Sequence, residues 1–214
     1  MEEKKKLIGY YNYTVILTYI GMINGLLGIT FVMDGAFYAA AIMLMISGCC
    51  DMFDGTIAAT KERNKYEKHF GIQIDSLSDL ICFGVLPGFF LYRLCGETKV
   101  SLLISCFYIL CALVRLAYFN VAETERQSME DCRRKSYQGL PVTSAAMIFP
   151  ALFIIDRAAA IDLSAICATV ACATAAAFLI RIKIRKPGRT GKIVIMITGL
   201  AEFVILLISG AGVI

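Results

Sequence analysis

The chain has 214 residues, of which 58% are hydrophobic and 18% charged, and its mean hydropathy is +0.71. Soluble domains are about 45–50% apolar and about 25% charged, so this composition excludes an ordinary soluble domain. The formal net charge is +4, but no basic region is interleaved with stacking aromatic residues as in a nucleic-acid groove. No nucleic-acid partner is therefore expected.

Long apolar runs recur along the chain, and each is close to the roughly 20 residues that a membrane-spanning helix needs. They predict an all-α integral membrane protein, folded as a polytopic helical bundle of about seven transmembrane helices. The predicted spans are residues 13–33, 37–60, 71–94, 99–121, 140–156, 160–182 and 191–213. No connecting segment is long enough to fold alone, so residues 1–214 are expected to form a single membrane domain.

The basic residues between the spans predict the orientation, because cytoplasmic loops of membrane proteins are enriched in lysine and arginine. With the N-terminus in the cytoplasm, the inside segments hold 17 of the 21 basic residues. The outside connections hold Arg93, Lys99 and Arg157, and Arg115 lies within the fourth span. The pattern predicts a protein of the cytoplasmic membrane with its N-terminus inside, in contact with anionic lipids.

Four aspartates lie near the cytoplasmic ends of the second and third predicted spans. Asp51 and Asp54 are three residues apart and Asp75 and Asp79 are four apart, so each pair projects from one helical face. Because the two spans are consecutive and antiparallel, all four carboxylates can meet at one depth. A charged side chain at the bilayer centre costs at least about 2.5 kcal/mol, so the cluster calls for a compensating cation.

An all-carboxylate cluster favours a hard divalent ion. His69 is the single histidine and there is no CxxC pair, so a zinc site is not indicated. Mg²⁺ and Mn²⁺ prefer oxygen ligands and are commonly held beside substrate phosphates. Four carboxylates could share two such ions, as in phosphoryl-transfer enzymes. Two alternatives to such an enzyme site stay open at this point. The aspartates could each reach water separately at the helix ends, or the protein could be a divalent-cation transporter.

The same residues carry a resemblance to the CDP-alcohol phosphotransferase family, whose signature is D-x2-D-G-x2-A followed by G-x3-D-x3-D. Residues 51–79 match it at Asp51, Asp54, Gly55, Ala58, Gly71, Asp75 and Asp79. The segments FGIQIDSLSDLICFGVLP, RLAYFNV and GLPVTSAA resemble the phosphatidylserine synthase branch. The chain departs from the pattern at Ala59, where the family has arginine, and in the longer interval, 60–70, before Gly71.

The resemblance implies transfer of the phosphatidyl group from CDP-diacylglycerol to the hydroxyl of L-serine, with release of CMP, at the cytoplasmic side of the membrane. It implies that the four aspartates hold two divalent cations, Mg²⁺ or Mn²⁺, and that Asp79 is also the general base. Gly55, Ala58 and Gly71 would border the CDP lipid. The resemblance further implies a homodimer.

Residues for the acceptor or for a phosphate are expected among the polar side chains near the site. Serine carries a carboxylate, and Arg115 is the candidate cation, with snorkelling to the cytoplasmic surface as its alternative. Asn120 and Lys61 are further candidates, and Lys61 or Arg63 could reach back from the longer loop in place of the arginine absent at position 59. A phosphorylated acceptor, glycerol 3-phosphate or an inositol phosphate, is the alternative substrate, although it would call for a tighter basic cluster.

Overall fold

A computed structural model of the chain describes residues 8–128, 136–159, 164–185 and 188–210. The α-helices are α1 Ile16–Met33, α2 Phe37–Ala58, α3 Lys65–Asp79, α4 Leu86–Leu94, α5 Lys99–Ser128, α6 Ala145–Ala158, α7 Ser164–Leu179 and α8 Arg189–Gly210. Short 3-10 turns, Tyr13–Val15 and Val142–Ser144, lead into α1 and α6. Two three-residue strands, β1 Ser136–Gln138 and β2 Lys183–Arg185, pair antiparallel. Apart from this strand pair the predicted helical architecture is confirmed.

Within the described residues, five helical segments are long and apolar enough to cross a membrane. They are Tyr13–Met33, Phe37–Ala58, Lys65–Leu94, Lys99–Glu125 and Ile193–Gly210. They correspond to the first four predicted spans and the seventh, but the third helix begins at Lys65, before the predicted residue 71. The protein is therefore a polytopic integral membrane protein.

The other two predicted spans form shorter helices. α6 has 14 residues and α7 has 16. At 1.5 Å per residue they extend about 21 and 24 Å, less than the roughly 30 Å of a hydrocarbon core. Residues 160–163 and 211–213 of the predicted spans lie outside the described residues. The full count of seven crossings stays a prediction.

α3 and α4 form one continuous helix through a π-helical turn, Leu80–Val85, that begins directly after Asp79. In a regular α-helix the carbonyl of Phe83 would accept a hydrogen bond from residue 87, but Pro87 has no N–H. The fully buried hydroxyl of Tyr108 in α5 donates to that carbonyl instead, at 2.9 Å. Packing against α5 thus stabilises the π-helical turn that directly follows Asp79.

α1 packs closely against the π-helical turn through small residues. A Cβ added at Gly25 would lie 2.8 Å from the Cys82 sulfur, and one added at Gly28 would lie 2.6 Å from a Leu86 methyl group. Small residues allow helix backbones to approach one another in this way in membrane proteins. The close approach brings the first half of α1 against the aspartate-bearing ends of α2 and α3.

Aromatic side chains fill the bundle at the opposite end of α2. The rings of Phe90 and Phe153 meet edge to face with centroids 5.5 Å apart, and Phe37 approaches Phe90 in the same geometry at 5.5 Å. Such arrangements stabilise a pair beyond the area that it buries. This aromatic part of the core therefore lies at one end of α2 and the aspartates at the other, while Cys82 and Phe83 extend the core to the aspartate cleft.

Candidate active site

The structure brings the four aspartates to one place, although they come from two helices. The carboxylate oxygens of Asp51, Asp54 and Asp75 lie within 4.8 Å of one another. Asp79 lines the same cleft as these three. Asp54 is buried, and the other three are partly buried. The convergence follows from the antiparallel packing of α2 and α3, with one helical turn between the members of each pair.

The cleft that the aspartates line lies between α1, α2 and the α3–π segment, Lys65–Val85, and is narrow, with a volume of about 10 Å³. Its wall also contains hydroxyl and thiol groups, from Thr18, Ser47, Ser78, Cys50 and Cys82. Among the described residues that line it there is no lysine or arginine. The negative charge of the cleft is therefore not balanced by a basic side chain in its wall.

Thr18 of α1 connects the two aspartate-bearing helices. Its hydroxyl donates to Asp54 Oδ2 at 3.2 Å, and its carbonyl accepts from the Ser78 hydroxyl at 3.2 Å. The sequence analysis missed this residue. A threonine in an apolar helix commonly donates to a carbonyl of its own helix, as Thr174 does to Val170. Nothing in the local pattern distinguishes Thr18 from such a residue.

The donor set of the cleft fits a hard divalent cation. Carboxylate oxygens from three side chains already lie within 4.8 Å of one another. Mg²⁺ and Mn²⁺ take oxygen ligands, and Mg²⁺ is usually held by one or two carboxylates together with substrate phosphates. The cluster can thus hold a metal ion through Asp51, Asp54 and Asp75.

The three small residues of the signature have different surroundings. A Cβ added at Gly55 would meet nothing within 4 Å, so there is open space beside Asp54. A Cβ added at Gly71 would lie 2.9 Å from Arg63 Nη1. Ala58 is partly exposed at the end of α2. The helix surface beside Gly55 is thus open, whereas Arg63 covers Gly71.

The α2–α3 loop holds Lys61 away from the cleft wall. Its ammonium pairs with Glu67 Oε1 at 3.5 Å. Glu67 also forms a reciprocal capping box with Asn64, in which each side chain accepts from the other residue's backbone N–H. This box begins α3. Lys61, a candidate phosphate ligand in the sequence, is therefore part of the loop's own ion pair.

Arg115 of α5 lies apart from the aspartates. Arg115 is buried, donates from Nε to the Leu140 carbonyl at 3.3 Å and lies 5.8 Å from the centre of the Phe119 ring. Its guanidinium thus contacts protein and is not extended to a surface. It does not line the aspartate cleft described above.

Asn120 lies beside α3 and contacts two residues close to Asp75 in the chain. It accepts from the Ser76 hydroxyl at 2.5 Å and donates to Gln73 Oε1 at 3.3 Å. A second, wider cleft of about 230 Å³ is lined by Gln73, Asn120, Val121, Thr124 and Glu125. Gln73 lies two residues before Asp75, so this cleft borders the same turn of α3 as Asp75 but a different face of the helix. The sequence analysis missed Gln73, whose position is marked only by this contact.

The fold and the cleft define a polytopic membrane protein with a cluster of carboxylates that could hold a divalent cation. The chain belongs to the CDP-alcohol phosphatidyltransferase family, whose sequence profile matches residues 11–178. The resemblance that the aspartate and glycine spacing indicated is confirmed.

Named relatives include proteins of archaea, yeast and bacteria. The chain is 28% identical over 156 residues to archaetidylserine synthase of Methanothermobacter thermautotrophicus, an alignment that covers 72% of this chain and 63% of the relative. It is 29% identical over 157 residues to CDP-diacylglycerol–serine O-phosphatidyltransferase of Saccharomyces cerevisiae, with 67% and 55% covered. The protein of the latter name from Bacillus subtilis is 28% identical over 139 residues, with 64% and 72% covered. The chain thus spans less than two thirds of the length of the first two relatives.

Proposed function

We propose that the protein transfers the phosphatidyl group of CDP-diacylglycerol to the hydroxyl of L-serine, forming phosphatidylserine and releasing CMP. The observation that carries this proposal is the convergence of Asp51, Asp54, Asp75 and Asp79 on one cleft in a member of this family. The names of the three relatives share serine as the acceptor and differ in the lipid. The identity of the acceptor, serine, is therefore better supported than the identity of the lipid donor.

The four aspartates are proposed to hold two divalent cations, Mg²⁺ or Mn²⁺. When bound, such ions would neutralise the charge of the donor diphosphate and the charge that develops on it during transfer. Gly55, Ala58 and Gly71 are proposed to border the CDP lipid, since there is open space beside Gly55, next to Asp54.

Asp79 is proposed to act as the general base. It accepts the proton of the serine hydroxyl as the serine oxygen attacks the lipid-side phosphorus. A phosphorus–oxygen bond forms to serine, the bond between that phosphorus and the bridging oxygen breaks, and CMP leaves with the bonding electrons. Asp79 lies at the end of α3, directly before the π-helical turn, so this turn positions the base.

The acceptor residues proposed from the sequence differ in their support. Asn120 lines the cleft that borders α3 and is hydrogen bonded to Ser76, beside Asp75. Arg115 contacts Leu140 and Lys61 pairs with Glu67, so their contacts bind parts of the protein to each other. Asn120 also bonds to other parts of the protein, but it lines a cleft open to a ligand, and on this ground we propose it as the acceptor-side residue among the three.

The proposal includes a membrane setting. The distribution of basic residues supports an N-terminus inside and an active site at the cytoplasmic side of the cytoplasmic membrane, where polar serine and a lipid donor can both reach it. The family match over residues 11–178 supports one catalytic domain, proposed here to extend over 1–214. A homodimer is proposed on the family resemblance, and the mass of the purified protein–detergent complex tests it.

A panel of acceptors tests the reaction. Purified protein is given CDP-diacylglycerol with Mg²⁺ or Mn²⁺ and L-serine, glycerol 3-phosphate or an inositol phosphate, and CMP release is measured. We expect CMP release with serine and its loss when the divalent ions are chelated. Release with a phosphorylated acceptor alone would assign the other substrate. No release with any acceptor, together with divalent-ion uptake by proteoliposomes, would favour the transporter.

A further inference from the structure

Arg63 has an unusual position in the loop between α2 and α3. Its guanidinium folds back over Gly71, where an added Cβ would lie 2.9 Å from Nη1. Its Nε is shielded from solvent and has no hydrogen-bond partner in the described part of the chain. No described residue forms an ion pair with it, whereas its loop neighbour Lys61 pairs with Glu67 at 3.5 Å. Arg63 thus presents a positive charge that the described protein does not use.

This charge lies next to the aspartate cleft. Gly71 precedes Asp75 by four residues on α3, so the two share a helical face about 6 Å apart along the axis. The cleft wall contains no lysine or arginine among the described residues that line it. Arg63 is therefore a cation at the loop end of α3, about one helical turn from Asp75.

The chemistry of this position suits a phosphate. A guanidinium has five N–H donors in a planar arrangement that matches phosphate oxygens, and such charge-assisted contacts are stronger than neutral ones. An anion that contacted Arg63 as well as a cation held by the aspartates would carry negative charge on two neighbouring groups. The diphosphate of a CDP-linked lipid has this form, because two adjacent phosphates each carry negative charge.

We infer that Arg63 binds a phosphate of the CDP-linked donor and supplies the cation that Ala59 lacks. The inference rests on the proposed function, since it takes the donor from it. Gly71 contributes because any side chain at that position would displace the guanidinium. Arg63 is thus a donor-binding residue contributed by the loop that is longer in this chain.

Arg93 is a matched control within the same continuous helix. Its Nε also lacks a hydrogen-bond partner, but its Nη1 pairs with Glu97 at 2.6 Å. It lies at the opposite end of the helix that runs through Lys65–Leu94. Arg93→Ala removes the same chemical group far from the aspartates.

The test compares Arg63→Ala, Arg63→Lys and Arg93→Ala in purified full-length protein. The dissociation constant of CDP is measured by calorimetry with Mn²⁺ present, and KM is measured for CDP-diacylglycerol and for the acceptor. For Arg63→Ala we expect donor KM and the CDP dissociation constant to rise about tenfold to hundredfold, the range for a lost charge-assisted hydrogen bond. The KM for the acceptor should stay unchanged. For Arg63→Lys, the donor KM and the CDP dissociation constant should lie between those of the parent and of Arg63→Ala. For Arg93→Ala both values should equal those of the parent.

A second set of variants separates binding from folding. Gly71→Ala should weaken CDP binding in the parent but add little in the Arg63→Ala background, because both changes remove the same contact. Ala59→Arg should restore part of the affinity lost in Arg63→Ala. If Arg63→Ala does not fold, Arg63→Lys and Gly71→Ala still report on the contact.

The results that would overturn the Arg63 contact differ from those that would overturn the proposed reaction. Parental CDP affinity and donor KM in both Arg63 variants would overturn the inference while leaving the reaction intact. A parent protein that binds CDP but uses an acceptor other than serine would overturn the proposed acceptor and leave the Arg63 contact standing. A parent protein that does not bind CDP at all would overturn both.

Discussion

The carboxylates of Asp51, Asp54 and Asp75 are too close together to be explained as separate surface residues. Their oxygens lie within 4.8 Å of one another. Two ionised carboxylates about 5 Å apart repel each other by roughly 3 kcal/mol at an effective dielectric constant of about 20. The Thr18 hydroxyl gives Asp54 one hydrogen bond, which offsets only part of this repulsion. A bound divalent cation would remove this repulsion, and the cluster could hold such an ion.

Neutralising one carboxylate should weaken that site. We expect Asp51→Asn and Asp75→Asn each to abolish CMP release and to lower the affinity for Mn²⁺ sharply, because each replaces an anionic ligand by a neutral amide. Mn²⁺ binding is measured by titration of the purified protein, independently of turnover. Asp34→Asn is the control, because Asp34 is exposed after the end of α1. Parental Mn²⁺ affinity in both cluster variants would contradict the metal assignment.

α1 forms one wall of the site although it contributes none of the signature residues. Its glycines let it approach the α3–π segment, and Thr18 lies seven residues before Gly25, on the same helical face. The Thr18 contacts with Asp54 and Ser78 therefore depend on how closely α1 packs. Helix packing and site geometry are linked through this helix.

A methyl group at Gly25 should disturb both the packing of α1 and the geometry of the aspartate site. In Gly25→Ala the new Cβ would meet the Cys82 sulfur at 2.8 Å and its Cα at 3.3 Å, so the helices must separate. Overpacking of this kind costs typically about 1–3 kcal/mol. We expect a lower melting temperature in detergent and weaker Mn²⁺ binding, since Thr18 moves away from Asp54.

Gly199→Ala is the matched control for this change. A Cβ added at Gly199 in α8 meets nothing within 4 Å, and alanine favours a helix more than glycine does. Its melting temperature should be unchanged or slightly higher. Equal melting temperatures and Mn²⁺ affinities for Gly25→Ala and Gly199→Ala would show that the α1 approach is not a constraint.

The whole molecule combines an apolar exterior with an uneven distribution of basic residues. Only 6% of the apolar window of α8 is buried within the protein, so this helix presents most of its surface outward, as a lipid-facing helix does. The two short helices α6 and α7 leave one point of the topology open. If both cross the bilayer, the segment containing Arg157 lies outside. If neither crosses, it lies inside, and the ends of the chain keep the same sides.

Single-cysteine labelling decides between these topologies. In a cysteine-free background we expect Arg157→Cys and Glu97→Cys to react with a membrane-impermeant reagent from outside, and Lys65→Cys to react only after the membrane is permeabilised. Glu97 lies between α4 and α5 and is outside in either case, so it serves as the control. Protection of Arg157→Cys with labelling of Glu97→Cys would mean five crossings. Labelling of Lys65→Cys from outside would reverse the orientation.

Several features of this protein could be predicted from the order of its residues. Apolar length predicted the helices, and the spacing of Asp51, Asp54, Asp75 and Asp79 predicted that each pair shares a helical face. These properties depend on neighbours a few residues apart, which helical geometry relates in a regular way. The convergence of the two pairs followed as well, since a short loop makes consecutive helices antiparallel neighbours.

Other features depended on the packing of segments that are distant in sequence. Thr18 meets Asp54 across 36 residues and Tyr108 meets Phe83 across 25. The sequence alone offers both Lys61 and Arg63 as loop cations that could replace the arginine absent at position 59. In the structure Arg63 lies over Gly71, whereas Lys61 pairs with Glu67. The physical reason is that hydrophobicity and helical period place a residue on a face but leave the partner of that face open. Glycine contacts, helix crossings and the path of a loop decide the partner.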